Sequence, residues 1–259
     1  MLAWEAKTSH EPVGLSFASG FENVVETLVL SNQCPQQDRD QILRDIPRTF
    51  PNDEYFGNRD VQDTIERVLI AVCLEYPHVG YVQSMNFLCS FLFLHCKSED
   101  ACFAMFRVLM EGKGTQMQQM YAPGLPMLFR ALGAFEILLD KHAARAMDRM
   151  REVKLEVMMF AQTWFMTLFT YAMDWQVCGP VWDMFLQRGW EAMLRAAVVL
   201  VKQWEAEIVC GDFESIGELM RQACANAPSD LVERADLLKF DSSDLDVCLQ
   251  VAEEAESRV

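Results

Sequence analysis

The chain has 259 residues, of which 51% are hydrophobic, so it is long and apolar enough to bury a large core. It carries 38 acidic and 22 basic residues, a formal net charge of -16. This charge would repel the phosphate backbone of nucleic acid over most of the surface, so we exclude nucleic acid as a partner. Residues 230–259 contribute nine acidic and three basic side chains, which indicates a solvated C-terminal face.

The cysteine pattern favours reduced thiols. Nine cysteines, an odd number in a large apolar chain, are more typical of buried thiols in a reducing compartment than of a disulfide framework. No CxxC pair occurs, and the closest cysteines, Cys89, Cys96 and Cys102, fall within helical apolar runs. Tetrahedral zinc needs four convergent ligands, so we expect no metal site. Neither a signal peptide nor an apolar run of the ~20 residues needed for a membrane span is found, which predicts a soluble cytoplasmic protein.

Apolar residues recur at helical spacing almost throughout the chain, and strand alternation is hard to find, so we predict an all-α fold. Asp60 is the expected N-cap of the second helix, and Pro77 lies just after its end. We find neither an internal repeat nor a linker, which favours a single domain over residues 1–259. The pattern predicts helices at residues 36–46, 61–72, 85–94, from Ser98 onward, and at 125–139, 155–172, 181–187 and 190–210.

The segment "ILRDIPRTFPND" at residues 42–53 presents an arginine in a bend rich in proline. Pro47 disfavours helical geometry at Ile46, so Arg48 should lie beyond the end of the preceding helix. Asp45, three residues before Arg48, is placed to brace it, and a planar guanidinium held in this way suits a phosphate group. The alternative interpretation is a local surface ion pair between the two side chains with no further role.

A second bend lies in "YPHVGYVQSMNFL", where Pro77 and Gly80 form a turn that leads into the apolar helix. Gln83 should therefore be an exposed amide at the start of a buried helix. On its own it could be no more than a helix-start residue. Together, however, a rigid arginine and a rigid glutamine supply what GTP hydrolysis lacks: positive charge for the γ-phosphoryl oxygens and an amide that orients the attacking water.

These two segments resemble the signature motifs of the TBC domain, the catalytic unit of Rab GTPase-activating proteins. "ILRDIPRTFP" matches the IxxDxxR motif, "GYVQSMN" matches the YxQ motif, and the two motifs lie about 35 residues apart as in that family. The resemblance continues through "EDACFAMF", "WFMTLFTYAM" and "VWDMFLQRGWEAMLRAAVVLV" and covers residues 21–238. Residues 239–259 form an acidic end that we expect to be helical.

The resemblance implies an activator that works in trans. Arg48 corresponds to the arginine finger and Gln83 to the glutamine finger, both inserted into the nucleotide site of a GTP-bound Rab. By the same match, Ile42 and Asp45 position the first finger and Tyr81 positions the second. The partner holds GTP and Mg²⁺, so the chain needs no cofactor of its own. Membrane contact is expected only through the Rab partner or through regions outside this chain, at endomembranes served by vesicle trafficking.

The chain departs from the family pattern at three places. The family usually begins with an arginine-to-tryptophan motif, and Trp4 corresponds to its tryptophan, but the arginine would precede Met1, so the chain is either trimmed or divergent there. Ser84 stands where the family commonly has glycine, a change between small residues that should keep the turn. Pro180 is expected to shorten the lead into the helix at 181–187.

Trp182, Asp183 and the methionines are interpreted as structural residues with no direct role in the site. Trp182 is expected to pack and Asp183 to lie on a helix surface. Thioethers on a helical stripe usually fill a core, which is our interpretation of Met158, Met159 and Met166.

Two other classes of function stay open at this stage. A catalytically silent TBC-like scaffold would bind a small GTPase through the same face without accelerating hydrolysis, although it would have no reason to keep both finger residues. A helical interaction domain unrelated to GTPases would require both motifs to be accidental.

Overall fold

The computed structural model describes residues 33–252, and all regular secondary structure in that range is helical, which confirms the all-α prediction. Trp4 lies outside the described residues. None of the helices described is both long enough and apolar enough to cross a bilayer.

A 3₁₀ turn, Ile46–Arg48, follows the first helix. In chain order the α-helices are α1 (Gln36–Asp45), α2 (Glu54–Gly57), α3 (Arg59–Glu75), α4 (Met85–Cys96), α5 (Glu99–Glu111), α6 (Met117–Tyr121), α7 (Pro126–His142), α8 (Ala144–Glu152), α9 (Met158–Met166), α10 (Trp175–Arg188), α11 (Trp190–Lys202), α12 (Glu205–Cys210), α13 (Phe213–Gln222), α14 (Leu231–Leu237) and α15 (Ser242–Ala252).

The chain divides into two compact units. The N-terminal unit comprises Met1–Gly112 and Tyr121–Pro123, and the C-terminal unit comprises Lys113–Met120 and Gly124–Val259. Both finger candidates belong to the N-terminal unit, so that unit carries the candidate site.

Helix α3 organises the N-terminal unit, where it packs against α1, α4 and α5. Its residues Val68, Leu69 and Val72 are fully buried, as their helical spacing predicts. The helix starts earlier than predicted: the N-cap is Asn58, whose side chain accepts a 2.8 Å hydrogen bond from the backbone N–H of Asp60. The prediction of Asp60 as N-cap was therefore wrong, because the exposed residues before the apolar stripe are also helical.

Helix α4 is the buried helix that its uniformly apolar sequence predicts. Residues on several sides of it are buried, among them Leu88, Cys89 and Phe91. Helix α5 begins as predicted after Ser98, whose hydroxyl oxygen accepts a 3.4 Å hydrogen bond from the backbone N–H of Ala101. The buried helix α4 supports the second bend, which leads directly into it.

Helix α11 organises the C-terminal unit, where it packs against α7, α10, α14 and α15. It ends at Lys202, and a separate helix, α12, begins at Glu205, so the single helix predicted at 190–210 was wrong. The helix predicted at 155–172 is also shorter in the structure, because α9 ends before Leu168 and Phe169, which both have positive φ angles. Both residues are buried, so the apolar pattern continues through a turn.

Helix α10 corrects the expectation for Pro180. The helix begins at Trp175 and contains Pro180 in its interior, so the proline does not shorten the lead into residues 181–187. The start is fixed instead by Asp174, whose side chain accepts a 2.8 Å hydrogen bond from the backbone N–H of Gln176. This N-cap hydrogen bond fixes the first turn of α10, which lies before Pro180 in the chain.

The packing role predicted for Trp182 is confirmed, since it is buried and its indole N–H donates a 2.9 Å hydrogen bond to the carbonyl of Leu168. Asp183 is half-buried. Met166 is a core residue as predicted, but Met158 and Met159 are 41% and 56% exposed. Their assignment to the core was therefore wrong: both lie in the first turn of α9, whose buried residues begin at Phe160.

Candidate functional site

The segment that carries Arg48 leaves α1 through a 3₁₀ turn. Helix α1 ends at Asp45, and Ile46 keeps right-handed helical angles of φ -54° and ψ -52°. The expectation that Pro47 removes Ile46 from helical geometry was therefore wrong. Pro47 lies at the start of the 3₁₀ turn, where a missing N–H costs little, and the chain becomes extended only at Thr49.

Arg48 is braced and yet accessible. Its Nη2 forms an ion pair with Oδ1 of Asp45, and its Nε donates a 2.9 Å hydrogen bond to the carbonyl of Arg44. The Arg48 side chain is 68% exposed, whereas that of Asp45 is 4% exposed. A buried carboxylate thus orients a guanidinium that still presents much of its surface to solvent.

Asp45 also reaches the second bend. Its Oδ2 accepts a 3.0 Å hydrogen bond from the hydroxyl of Tyr81, which is itself buried. The pKa of Tyr81 is raised well above its usual value. Burial is the main cause, and the negative charge of Asp45 and the hydrogen bond to it raise the pKa further. The hydroxyl therefore stays protonated and donates, and one carboxylate holds groups from both motifs.

The turn that carries Gln83 depends on two residues with positive φ. Gly80 has φ +66°, and Ser84, which precedes the first residue of α4, has φ 115°. Gln83 lies between them in the turn and is exposed. Its amide makes no hydrogen bond with any residue in the range 33–252, so it is available to a partner.

A second hydrogen-bonded link joins the two segments through residues that follow the candidate fingers in the chain. The hydroxyl of Thr49 donates to the carbonyl of Asp45 at 2.8 Å and accepts from Nδ2 of Asn86 at 2.7 Å. Oδ1 of Asn86 accepts in turn from the backbone N–H of Ser84 at 3.1 Å. Thr49 directly follows Arg48 and Ser84 directly follows Gln83, so this link holds the backbone next to each candidate finger.

Aromatic packing supports the same two segments. The rings of Phe50 and Phe87 meet edge to face with centroids 5.3 Å apart, and Phe50 also lies 5.2 Å from Phe56. Ile42 is fully buried within α1, which packs against α3. The bend thus has an apolar support as well as a polar one.

The structure brings Arg48, Asp45, Tyr81 and the backbone beside Gln83 into one connected network. Sequence reasoning missed Thr49 and Asn86, which are both buried and complete the second link. The one local signal was the polar amide of Asn86 at the start of an otherwise apolar helix, because a buried amide needs hydrogen-bond partners.

Comparison with known proteins assigns the chain to a family. The family model of the Rab-GTPase-TBC domain matches residues 20–209. The GTPase-activating protein GYP5 of Saccharomyces cerevisiae is 27% identical over 205 residues, which cover 79% of this chain and 22% of that protein. The human ecotropic viral integration site 5 protein homolog is 24% identical over 223 residues, with 84% of this chain and 27% of that protein covered. The chain therefore spans about a quarter of the length of these two relatives.

Two solved structures share the fold. The crystal structure of the Chlamydomonas flagellar RabGAP TBC domain superimposes with a TM-score of 0.67 at 21% identity, covering 97% of this chain and 75% of that one. The Ypt/Rab-GAP domain of Gyp1p gives a TM-score of 0.71 at 18% identity, covering 90% and 79% of the two chains. Because the family model matches well over half of the sequence, the chain belongs to the Rab-GTPase-TBC domain family.

Proposed function

We propose that this chain accelerates GTP hydrolysis by a Rab-family GTPase, to which it supplies Arg48 and Gln83 in trans. The observation that carries the proposal is the pair of links, Asp45 to Tyr81 and Thr49 to Asn86, which bracket both side chains. Arg48 and Gln83 are both exposed. One link joins residues that precede them in the chain, and the other joins residues that follow them. The names of relatives such as the GTPase-activating protein GYP5 support the same activity.

Arg48 would neutralise charge on the γ-phosphoryl oxygens. Its guanidinium offers five donors in a planar fork, of which Nη2 and Nε already contact Asp45 and the carbonyl of Arg44. These contacts reduce the freedom that the side chain must lose on docking, while the exposed part of the fork remains for phosphate. An arginine supplied in trans accelerates GTP hydrolysis by about 10³–10⁵ in the Ras system.

Gln83 would orient the attacking water. A carboxamide can accept a hydrogen bond from the water and donate one to the phosphate or to the partner's backbone, which suits the in-line attack. The turn angles at Gly80 and Ser84 fix the backbone around it, so little order is lost when the amide engages. The neighbouring Tyr81 and Ser84 carry the hydrogen bonds that hold this turn.

The chain would then contribute electrostatic stabilisation and water positioning, and the GTPase would contribute the bound nucleotide and Mg²⁺. We therefore expect no nucleotide hydrolysis by the chain alone and no cofactor of its own. We place its action in the cytoplasm, with contact to endomembranes through the Rab partner.

A catalytically silent scaffold is the second candidate. It would use the same face to bind a GTPase, and the ion pair between Arg48 and Asp45 would then be purely structural. The amide of Gln83 is exposed and makes no hydrogen bond with residues 33–252, which favours the activator, because a scaffold has no need of a free amide in addition to a braced arginine.

The test is a screen of single-turnover GTP hydrolysis across purified GTP-loaded Rabs, with and without this chain. The proposal predicts accelerated phosphate release for at least one Rab and none from GTP plus the chain alone. Binding to a GTP-loaded Rab without acceleration would support the scaffold. Absence of both binding and acceleration across the panel would indicate a helical domain that does not act on Rabs.

A further inference from the structure

Two buried thiols and one carboxylate converge in the N-terminal unit, outside the network that holds Arg48 and Gln83. Cys34 lies two residues before the start of α1, Asp38 lies in the first turn of α1, and Cys73 lies in α3. One ligand atom of each residue lies within 4.8 Å of the other two. Cys34 and Cys73 are buried, whereas Asp38 is half-buried, so the cluster opens to solvent on its carboxylate side.

We propose that Cys34, Cys73 and Asp38 bind a thiophilic divalent cation of the Zn²⁺ class. Thiolate sulfur selects soft and borderline cations, whereas Mg²⁺ and Ca²⁺ prefer sites made of oxygen atoms. Tetrahedral zinc with metal–ligand distances of about 2.0–2.3 Å places its ligand atoms about 3.3–3.8 Å apart, so these three side chains need only small movements to close on the ion. Three protein ligands leave the fourth position to water, as in other three-ligand zinc sites.

Charge also favours a cation in this cluster. Asp38 forms no ion pair with any residue that the structure describes. A divalent cation would compensate its carboxylate and the two thiolates together, which would otherwise repel one another. The chain contains a second thiol pair, Cys89 and Cys102, with sulfur atoms 4.0 Å apart, but in the described range no carboxylate joins that pair to complete three ligands.

The proposed ion would brace the fold next to the second bend. Oδ2 of Asp38 lies 2.9 Å from the position that a Cβ on Gly80 would occupy, so the carboxylate packs against the turn that leads to Tyr81. An ion held by Cys34, Asp38 and Cys73 would thus join the start of α1 to α3 beside that turn. Short cysteine spacings in the sequence do not indicate this site, because its two thiols come from segments far apart in the chain.

The inference is independent of the proposed function, because its test needs no GTPase. The full chain, reduced with a phosphine and freed of metal, is titrated with Co²⁺ and followed by thiolate-to-cobalt charge-transfer absorption. We expect one Co²⁺ per chain. Cys34→Ser and Cys73→Ser should each lose about half of that absorption, since its intensity follows the number of thiolate ligands. Asp38→Asn should keep the absorption and weaken affinity by about tenfold or more.

Two controls and one further measurement complete the design. Cys102→Ser removes a buried thiol from the other pair, and Cys210→Ser removes an exposed thiol, so both should bind Co²⁺ like the wild type. Zn²⁺ at about 100 times its dissociation constant should raise the wild-type Tm by about 5–10 °C. Asp38→Asn needs a proportionally higher Zn²⁺ concentration for the same rise, which keeps the test valid should a buried serine variant fail to fold.

Three results would overturn the proposal. The first is no stoichiometric binding to the wild type. The second is Co²⁺ affinity equal to that of the wild type in both Cys34→Ser and Asp38→Asn, which would indicate adventitious binding to surface carboxylates. The third is a disulfide between Cys34 and Cys73 in the protein before reduction, detected by mass spectrometry, together with no Co²⁺ binding after reduction, which would make the pair a redox couple instead.

Discussion

The hydroxyl of Tyr81 donates a 3.0 Å hydrogen bond to Oδ2 of Asp45, across 36 residues of sequence. Oδ1 of the same carboxylate pairs with Arg48, so Asp45 uses both oxygens to hold the two motif segments together. Because Asp45 and Tyr81 are both buried, neither group can exchange this partner for water without cost.

Tyr81→Phe should therefore affect stability and activity together. The variant leaves Oδ2 of Asp45 buried without its donor, which should lower the free energy of unfolding by about 1–3 kcal/mol. It should also lower the maximal Rab-stimulated rate by about tenfold or more, with little change in the concentration needed for half the maximal effect, because misplaced reacting groups slow chemistry more than binding. Urea unfolding and single-turnover GTP hydrolysis measure the two effects.

The control is Tyr55→Phe, because the Tyr55 ring stacks on Phe93 and its hydroxyl makes no hydrogen bond within residues 33–252. That variant should change neither quantity appreciably. If Tyr81→Phe loses stability but keeps full stimulated turnover, the hydrogen bond serves folding alone.

The second link predicts energetic coupling between Thr49 and Asn86. In a double-mutant cycle, Thr49→Val and Asn86→Ala should each cost about 1–2 kcal/mol in unfolding free energy, and the pair should couple by about 1 kcal/mol, because they share one hydrogen bond of 2.7 Å. Thr170→Val, at a buried threonine that shares no partner with Asn86, should be additive with Asn86→Ala. Additivity of Thr49→Val with Asn86→Ala would argue against the link.

Ser84→Gly should stabilise the protein. Ser84 has φ 115°, a conformation that is costly for a residue with a Cβ but open to glycine. Relief of that strain raises the free energy of unfolding, and the greater entropy of glycine in the unfolded chain offsets part of this gain. The net increase should be about 0.5–1 kcal/mol, seen as a small rise in Tm. Ser98→Gly is the matched control, because Ser98 is an N-cap with φ -134° and should lose a few tenths of a kcal/mol. A lower Tm for Ser84→Gly would contradict the strain argument.

Asp244 should make the docking of α15 dependent on pH. Its buried carboxylate accepts hydrogen bonds from Lys141 Nζ at 2.8 Å, His142 Nε2 at 3.1 Å and the backbone N–H of Asp241 at 3.0 Å. Burial pushes the pKa of Asp244 upward, but these donors outweigh it and hold the pKa below its usual value. Since the folded pKa is lower than the unfolded one, the stabilisation is present above about pH 4 and is lost as pH falls through the folded value.

Asp244→Asn should accordingly cost about 2 kcal/mol near neutral pH, and this deficit should shrink as pH falls below about 4. Urea unfolding of wild type and variant across this range measures it. Asp246→Asn, at an exposed position on the same helix, should show little deficit at any pH. A deficit for Asp244→Asn that does not change with pH would mean that the charge of the carboxylate is not what stabilises the contact.

Helical spacing predicted the elements whose buried face is regular, as in α3 and α5. It failed where the chain turns inside the core. Leu168 and Phe169 are buried turn residues, so their apolar character extends the pattern of α9 past the end of the helix. Apolar periodicity indicates which residues are buried, and in this region the buried residues are not helical.

The site was predictable only in part, for a related reason. Arg48 and Gln83 stand out because each lies in a bend marked by proline or glycine and because the two bends match a family pattern. Thr49 and Asn86 do not stand out, because hydrogen bonds between distant segments leave no local periodicity in the sequence. The same holds for Cys34 and Cys73, which only the packing of α1 against α3 brings together.

The most direct test of the two fingers is single-turnover GTP hydrolysis by the responsive Rab with Arg48→Ala, Arg48→Lys, Gln83→Ala and the double variant Arg48→Ala/Gln83→Ala. Circular dichroism first establishes that the variants are equally folded. Arg44→Ala and Gln37→Ala are the matched controls, since both side chains are exposed on α1 and Arg44 contacts Arg48 only through its backbone carbonyl.

We expect Arg48→Ala to lower the stimulated rate by about 10²–10⁴, with little rescue by Arg48→Lys, because a point ammonium cannot span the oxygens that a planar fork reaches. Gln83→Ala should lose a comparable factor, and the double variant should be little worse than either, because the two groups serve one transition state. Both controls should stay close to the wild type. A near wild-type rate for Arg48→Ala, or an equally deep loss for Arg44→Ala, would contradict the assignment of Arg48 as the arginine finger.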